Sequence, residues 1–269
     1  MDVSIIVNHY RAPVALKLCL RELREQVKIP HEIIVVDSGA LKETGQMLKE
    51  YFPEVQYIPF TENVGFARSV NAGIAQAKAQ HLFISNADIL VRPGTVEMLC
   101  EYLREHPDVA MAGPRLRNID GTLQSSAFRY YTPLRILARR TPFGKTPWGR
   151  KVLAVFSMQD VISEKTIEPV TADWLMGSAM CVRKEAIDKV GMLDDRFFMY
   201  FEDVDWSRRF WEAGYKVMYM PAAECYHFHA RASRGGLLDI FRNPYTRLHL
   251  RSAAKYFRKH GFITPHHGA

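Results

Sequence analysis

Residues 3–10 read Val3-Ser4-Ile5-Ile6-Val7-Asn8-His9-Tyr10, and residues 33–39 read Ile33-Ile34-Val35-Val36-Asp37-Ser38-Gly39. Each is a short apolar run that ends in polar residues, the pattern of a strand buried on both faces. Between them, residues 15–27 place Leu16, Cys19, Leu20 and Leu23 at i, i+3, i+4 and i+7, which predicts an amphipathic helix. The alternation continues outward. Helices are expected near residues 42–51 and 64–79, with strands at 55–58 and 81–85, and Pro93-Gly94 opens a helix that runs through Leu103. Strands separated by helices of this length form βαβ units around a mainly parallel sheet, so the chain is read as α/β. In such sheets ligands bind at the carboxyl ends of strands. Here those ends carry His9-Tyr10, Asp37-Ser38-Gly39 and Asn86-Ala87-Asp88.

Residues 115–169 lose the periodicity and gain Arg, Pro and Gly, which predicts an inserted, loop-rich stretch. Order returns with a strand at 179–182, a helix from about Val204 to Ala213 closed by Gly214, and extended segments at 215–220 and 222–229. Asn243-Pro244 reads as an N-cap with proline in the first turn, starting a helix that stops before Gly261.

The chain has 269 residues, 36 Lys plus Arg against 29 Asp plus Glu, for a net charge of +7. That charge is uneven. Residues 231–269 hold 8 basic and 1 acidic residues, residues 115–151 hold 9 and 1, and the remainder holds 19 and 27. An acidic body with two basic segments argues against a nucleic-acid binder and suits an anionic membrane surface or substrate. The four cysteines (Cys19, Cys100, Cys181 and Cys225) are far apart and read as small buried hydrophobes in a reducing cytoplasm. No apolar run approaches the roughly 20 residues that span a bilayer, and no charged leader precedes the first strand, so a soluble or peripheral protein is expected. There is no Gly-x-Gly-x-x-Gly, no P-loop and no Gly-x-Ser-x-Gly elbow.

Several residues could carry chemistry. Asp88, just past a strand, could hold a divalent cation through oxygen, or begin an ordinary Asx turn. Glu202-Asp203-x-Asp205 follows the apolar run Phe197-Phe198-Met199-Tyr200-Phe201. It is either an acidic helix start, with Asp205 pairing Arg209, or a carboxylate pair whose desolvation raises a pKa toward a base's working range. His227 and His229 alternate in an extended segment, so at most one of them joins a given site. Asn63, Gly65, Arg68 and Asn71 mark a loop-to-helix start suited to a phosphate, or a capped surface helix. Trp174, beside Asp173, could stack on a sugar or lie in the core.

Taken in order, these residues resemble the family 2 glycosyltransferases of the GT-A fold, and within them a rhamnosyltransferase-like branch. The resemblance rests on residues 4–10, Val35-Val36-Asp37-Ser38-Gly39, and Asn63 through Gly73. It continues in Asn86-Ala87-Asp88, Asp173 through Ala179, Gly191 through Asp205, and His227 through Ser233. It implies a Rossmann-like, mainly parallel sheet flanked by helices. Residues 1–112 would form the nucleotide-sugar half and 113–234 the acceptor and catalytic half, followed at 235–269 by a basic amphipathic extension. It also implies that Asp37, with His9 and Tyr10 beside it, contacts the base, and that Asn63, Gly65, Arg68 and Asn71 serve the ribose and diphosphate. Asn86, Ala87 and Asp88 match the metal motif, with Asn in place of the usual first Asp. Asp88 and His227 (or His229) would hold Mg²⁺ or Mn²⁺, and Asp203 with Glu202 would supply the base. Asp173 and Trp174 would face the acceptor sugar. The implied activity is inverting transfer of a sugar, with rhamnose from dTDP-rhamnose or a UDP-sugar as donor, to a lipid-linked or envelope saccharide. The enzyme would be cytoplasmic and peripheral on the inner face of the membrane. A sugar-phosphate nucleotidyltransferase and a non-catalytic membrane-associated protein are the competing readings. The first lacks its Gly-rich, Arg-bearing phosphate loop.

The terminal helix offers Leu250, Ala253, Ala254 and Phe257 beside Arg247, Arg251, Lys255 and Lys259. Two placements fit: on anionic lipid, or packed on the domain with a solvated basic face.

Overall fold

The computed structural model describes residues 1–228 and 243–262. The chain opens with β1 (Val3–His9), α1 (Pro13–Gln26), β2 (His31–Ser38), α2 (Lys42–Tyr51), β3 (Gln56–Phe60) and α3 (Phe66–Ile74). β4 (His81–Asn86), β5 (Ile89–Val91), α4 (Thr95–Glu105) and β6 (Val109–Arg117) follow. The middle holds β7 (Leu123–Gln124), β8 (Ala127–Phe128), α5 (Pro133–Arg140), a 3₁₀ turn (Pro142–Lys145) and α6 (Pro147–Phe156). The rest is β9 (Val170–Thr171), β10 (Trp174–Leu175), β11 (Ala179–Arg183), α7 (Lys184–Val190), α8 (Glu202–Glu212), β12 (Lys216–His227) and α9 (Pro244–His260).

Among the described residues one sheet runs in the order β3-β2-β1-β4-β11-β6-β12-β5, with β7 on β6 and β9 on β12. β3, β2, β1 and β4 are mutually parallel, and β12 is parallel to β6. β11 lies antiparallel between β4 and β6, so the sheet is mixed with a parallel majority, as the α/β reading requires. Successive side chains alternate between two cores. Val3, Ile5 and Val7 face Leu16, Leu20, Leu99 and Leu103 of α1 and α4. Ile6, Ile34, Val36 and Ile84 face Val70 of α3 with Trp206 and Phe210 of α8. All four cysteines are free, buried and in the first core, the small-hydrophobe role read from their spacing.

Residues 115–169 correct the expectation of a loop-rich insertion, because residues 133–156 are largely helical. Thr132 and Thr146 each cap a helix that starts with proline, the side-chain oxygens accepting from Arg135 and Gly149 N–H. These signals are local; the broken apolar periodicity concealed them. β12 joins two segments read as separate, with a register shift between Met220 and Glu224.

A third, aromatic cluster gathers Phe128, Tyr130, Tyr131, Phe156, Trp174, Phe197, Phe201 and Tyr256. α9 belongs to this body. It buries Thr246, His249, Ser252, Ala253 and Tyr256, while Ala254 of the expected apolar stripe is exposed and Leu250 and Phe257 are half-buried. Of the two placements open for this helix, packing against the domain is the one found. Arg247 and Arg251 point outward, but Lys255 donates to the Arg196 carbonyl and Lys259 to Asp194. No described helix is long and apolar enough to cross a membrane.

Gly65 fixes how α3 meets the segment before α8. It sits at φ +81°, and a Cβ there would lie 2.3 Å from the Phe198 carbonyl oxygen, which accepts from Phe66 N–H. Gly65→Ala is expected to cost about 1–3 kcal/mol in urea unfolding, because a strained φ and a backbone clash coincide. Wild-type stability in that variant would show that the contact does not hold the segment.

Candidate active site

The carboxyl ends of β1, β2, β4 and β12 converge on one edge of the sheet, and the predicted residues lie there. His9 pairs in register with Asp37 and is buried with it. The Ala12 N–H donates to His9 Nε2 at 2.9 Å, so Nδ1 carries the proton and donates to Asp37 Oδ1 at 2.8 Å. Tyr57 Oη–H donates to the other Asp37 oxygen at 2.8 Å. Asp37 therefore has no exposed surface and both oxygens engaged, by His9 and Tyr57. Nothing local in the sequence singles out Tyr57. Tyr10 is half exposed at the mouth and covers Gly39.

The loop before α3 is knitted by Asn63, whose Oδ1 accepts from Ser38 Oγ–H and Gly65 N–H. Arg68, one turn into α3, is exposed. Asn71 corrects its expected place at the ribose and diphosphate. Its Nδ2 donates to the Leu193 carbonyl at 2.8 Å and its Oδ1 accepts from Leu193 N–H at 3.1 Å. It is a clamp between α3 and the segment leading to α8.

Asn86, Ala87 and Asp88 turn from β4 to β5. Ala87 N–H donates to the Asn8 carbonyl and Asn86 N–H to that of Ser178. Asp88 is one-third exposed, and His227, at the end of β12, places Nε2 3.5 Å from its Oδ1. Asn86 Oδ1 is buried without a hydrogen-bond partner. One carboxylate, one imidazole and a spare amide oxygen suit a hard divalent cation such as Mn²⁺ or Mg²⁺. Among the described residues no three His, Cys, Asp or Glu side chains form a cage. His229 lies outside the described residues.

The acidic pair sits on a strained turn. Tyr200 and Phe201 both adopt positive φ, 69° and 71°, directly before α8. For non-glycine residues each costs about 1–3 kcal/mol and persists only where packing enforces it. Phe201 is enclosed by Tyr131, His249 and Tyr256 at ring distances of 4.5, 5.2 and 5.4 Å, and Ser252 Oγ–H holds the Met199 carbonyl. His249 stays neutral, its pKa lowered to about 2 by burial and then by Arg140 and Arg139. Glu202 is buried, and burial first and the Asp203 charge second raise its pKa well above the usual carboxylate range. Asp203 is half-buried. Burial pushes its pKa up to about 6, against hydrogen bonds from Gly177 and Val204 N–H and the charge of Arg139. With its pKa at about 6, Asp203 is largely ionised near neutral pH, while burial makes ionisation of Glu202 beside it costly. Asp205 is separate from this pair. It pairs with Arg209 at 2.9 Å, as the i, i+4 spacing predicts, and with Lys259 and His260 of α9. Consecutive residues link the two centres, since Gly177 donates to Asp203 while Ser178 accepts from Asn86.

Asp173 and Trp174 correct their expected contact with an acceptor sugar. Asp173 Oδ2 accepts from Tyr130 N–H, and Asp173 is 3% exposed. Trp174 is stacked on Phe128 at 4.4 Å, donates Nε1–H to the Arg129 carbonyl and is 5% exposed. It is a core tryptophan with no face open to a ring. The useful signal in that stretch was Gly177-Ser178, three residues on.

Residues 4–160 match glycosyl transferase family 2, and residues 146–245 match glycosyl transferase family group 2. The chain is 29% identical over 244 residues to the N-acetylglucosaminyl-diphospho-decaprenol L-rhamnosyltransferase of Mycobacterium tuberculosis, covering 86% of this chain and 77% of that one. The rhamnosyltransferase WbbL of Escherichia coli is 31% identical over 96 residues, 36% of this chain and 34% of its own. Among solved structures, GalNAc-T7 with UDP, GalNAc and Mn²⁺ superposes with a TM-score of 0.65 at 15% identity, over 94% of this chain and about half (47%) of that one. The mannosyltransferase PcManGT of Pyrobaculum calidifontis, with GDP-Man and Mn²⁺, gives 0.62 at 17%, over the whole of this chain and 66% of its own. With a family match over more than half its length and this sheet beneath it, the chain belongs to glycosyl transferase family 2 and is a glycosyltransferase of the GT-A fold.

Proposed function

We propose that this enzyme is an inverting, metal-dependent rhamnosyltransferase. It moves rhamnose from dTDP-rhamnose, with a UDP-sugar as the other candidate donor, to a hydroxyl of a lipid-linked or envelope saccharide. The observation that carries the chemistry is the placement of Asp203 at the N-terminus of α8, where the Gly177 and Val204 N–H groups hold its carboxylate and burial pushes its pKa up to about 6. The mycobacterial relative, named for rhamnosyl transfer to a decaprenyl-diphosphate sugar, supports the donor and acceptor class. Residues 1–112 serve the nucleotide sugar and 113–234 the acceptor. The enzyme works in the cytoplasm, in peripheral contact with the anionic inner face of the membrane.

Asp203 takes the proton of the acceptor hydroxyl as that oxygen attacks the anomeric carbon from the face opposite the nucleoside diphosphate, so configuration inverts. The Gly177 and Val204 N–H groups hold the carboxylate at a fixed angle. Burial of Glu202 makes a second negative charge beside it costly. Exposed Arg68 supplies positive charge toward the diphosphate. Asp88 and His227 would hold Mg²⁺ or Mn²⁺, which when bound neutralises charge on the leaving diphosphate.

Asp203→Asn is expected to lower transfer by about 10²–10⁴-fold while leaving dTDP binding intact, and Glu202→Gln, which mimics a neutral acid, to retain most of the activity. Radiolabelled sugar transfer checks both, and near wild-type turnover in Asp203→Asn removes it from the base role. Calorimetric titration with dTDP is expected to tighten when Mn²⁺ is added, and Asp88→Ala to abolish that gain. An Mn²⁺ effect that survives in Asp88→Ala would place the ion elsewhere.

A further inference from the structure

The helical segment 133–156 carries a basic surface that exposes large apolar side chains. Its 24 residues contain six Lys or Arg and no Asp or Glu. α5 exposes Leu134 and Leu137, at 38% and 47%, and α6 exposes Trp148 at 60%. Arg139, Lys145, Arg150 and Lys151 are exposed among them.

The exposure does not come from loose packing. Gly144 and Gly149 let the turns close so tightly that a Cβ on either would meet a backbone carbonyl oxygen, of Ala138 or Phe143, at 2.0 Å. Trp148 is held edge-on to Phe143 at 5.1 Å. On its inner side the segment anchors to the aromatic cluster. Phe156 packs on Phe128 and Tyr131, and Tyr131 packs on Phe201, the residue before the acidic pair. Arg139 donates to Tyr131 Oη, and its charge reaches Asp203. One face of a rigid hairpin thus touches the catalytic turn while the other offers tryptophan and leucine set among cations.

We infer that α5, the 3₁₀ turn and α6 dock the enzyme on an anionic lipid surface, seating Trp148, Leu134 and Leu137 at the headgroup boundary beside the catalytic carboxylate. The inference rests on the reading that the acceptor is membrane-borne, and it names the element that makes the contact. A lipid surface fits better than a protein partner because the apolar side chains are interleaved with cations of one sign. Lys and Arg stems and a Trp ring are the side chains that settle at a bilayer interface. α9, the other basic helix, fits less well. Thr246, His249, Ser252, Ala253 and Tyr256 pack it against the domain, and Lys255 and Lys259 hold the segment before α8.

The test uses the full chain and sedimentation with vesicles of phosphatidylglycerol and phosphatidylcholine, against phosphatidylcholine alone. Of the four tryptophans, Trp174 and Trp206 are buried and Trp211 is half-buried, so Trp148 dominates any shift in emission. Binding to the anionic vesicles, a blue shift and quenching by brominated lipid are expected. Arg150→Glu with Lys151→Glu should weaken binding about tenfold or more, and Trp148→Ala should remove the shift. Both variants should keep donor hydrolysis in solution, and Arg251→Glu with Arg258→Glu on α9 should still bind. Failure of the wild-type chain to bind anionic vesicles overturns the inference. So does binding lost in the α9 variant but kept in the α6 variant. A change of oligomeric state in the α6 variant would instead make this face an interface between copies. Transfer to a water-soluble acceptor analogue separates the two readings. If it persists without vesicle binding, only the docking face is wrong, whereas absence of any transfer or donor hydrolysis sinks the proposed activity.

Discussion

Keeping two adjacent carboxyl groups out of water at the start of α8 is the constraint around which the rest of the site is arranged. Burying an ionised carboxylate without compensation is costly, and two side by side cannot both ionise cheaply. Burial pushes the Glu202 carboxyl well above the usual carboxylate range, and Asp203 accepts two backbone N–H groups. The turn that delivers them is itself strained, so several elements must hold it. α3 does so through Gly65 and Asn71, α9 through Ser252 and Tyr256, and the aromatic cluster through Tyr131.

In the proposed reaction the same scaffold would join proton removal to leaving-group binding. Gly177 and Ser178 contact Asp203 and Asn86 in turn, so the proposed base and the turn at residues 86–88 are held by one short stretch before β11. Inverting displacement at an anomeric carbon needs nucleophile and leaving group on opposite faces of one sugar, a geometry that a rigid link between the groups that manage them would set. The β-strand ends place His9, Asp37 and His227 on the same edge, where open α/β sheets bind ligands.

Much of this was legible beforehand because the information was local. Strand runs at Val3, Ile33 and His81, the helix periodicity of Leu16 to Leu23, and the acidic start of α8 are all patterns within about ten residues. What escaped was non-local or masked. Asn71 clamps Leu193, 122 residues away, and Tyr57 completes the Asp37 pair from a neighbouring strand. β6, which lies between β11 and β12, contains Gly113, Pro114 and two arginines, a composition that does not read as a strand. α5 and α6 were hidden by broken apolar periodicity although Thr132-Pro133 and Thr146-Pro147 announced their starts. Trp174 could be read either as a platform or as core, and only its stacking partners decide between them.

The most direct test of the central claim is the pH dependence of transfer under saturating donor and acceptor. Asp203 must be ionised to accept a proton, and its pKa is raised to about 6, so activity should be full above that pH. Below it, activity should fall about tenfold per unit as the carboxylate is protonated, with the same limb in Glu202→Gln. An acid limb near 4, the value of an unperturbed carboxylate, or one that vanishes in Glu202→Gln, would contradict the assignment of Asp203 as the buried, ionised base.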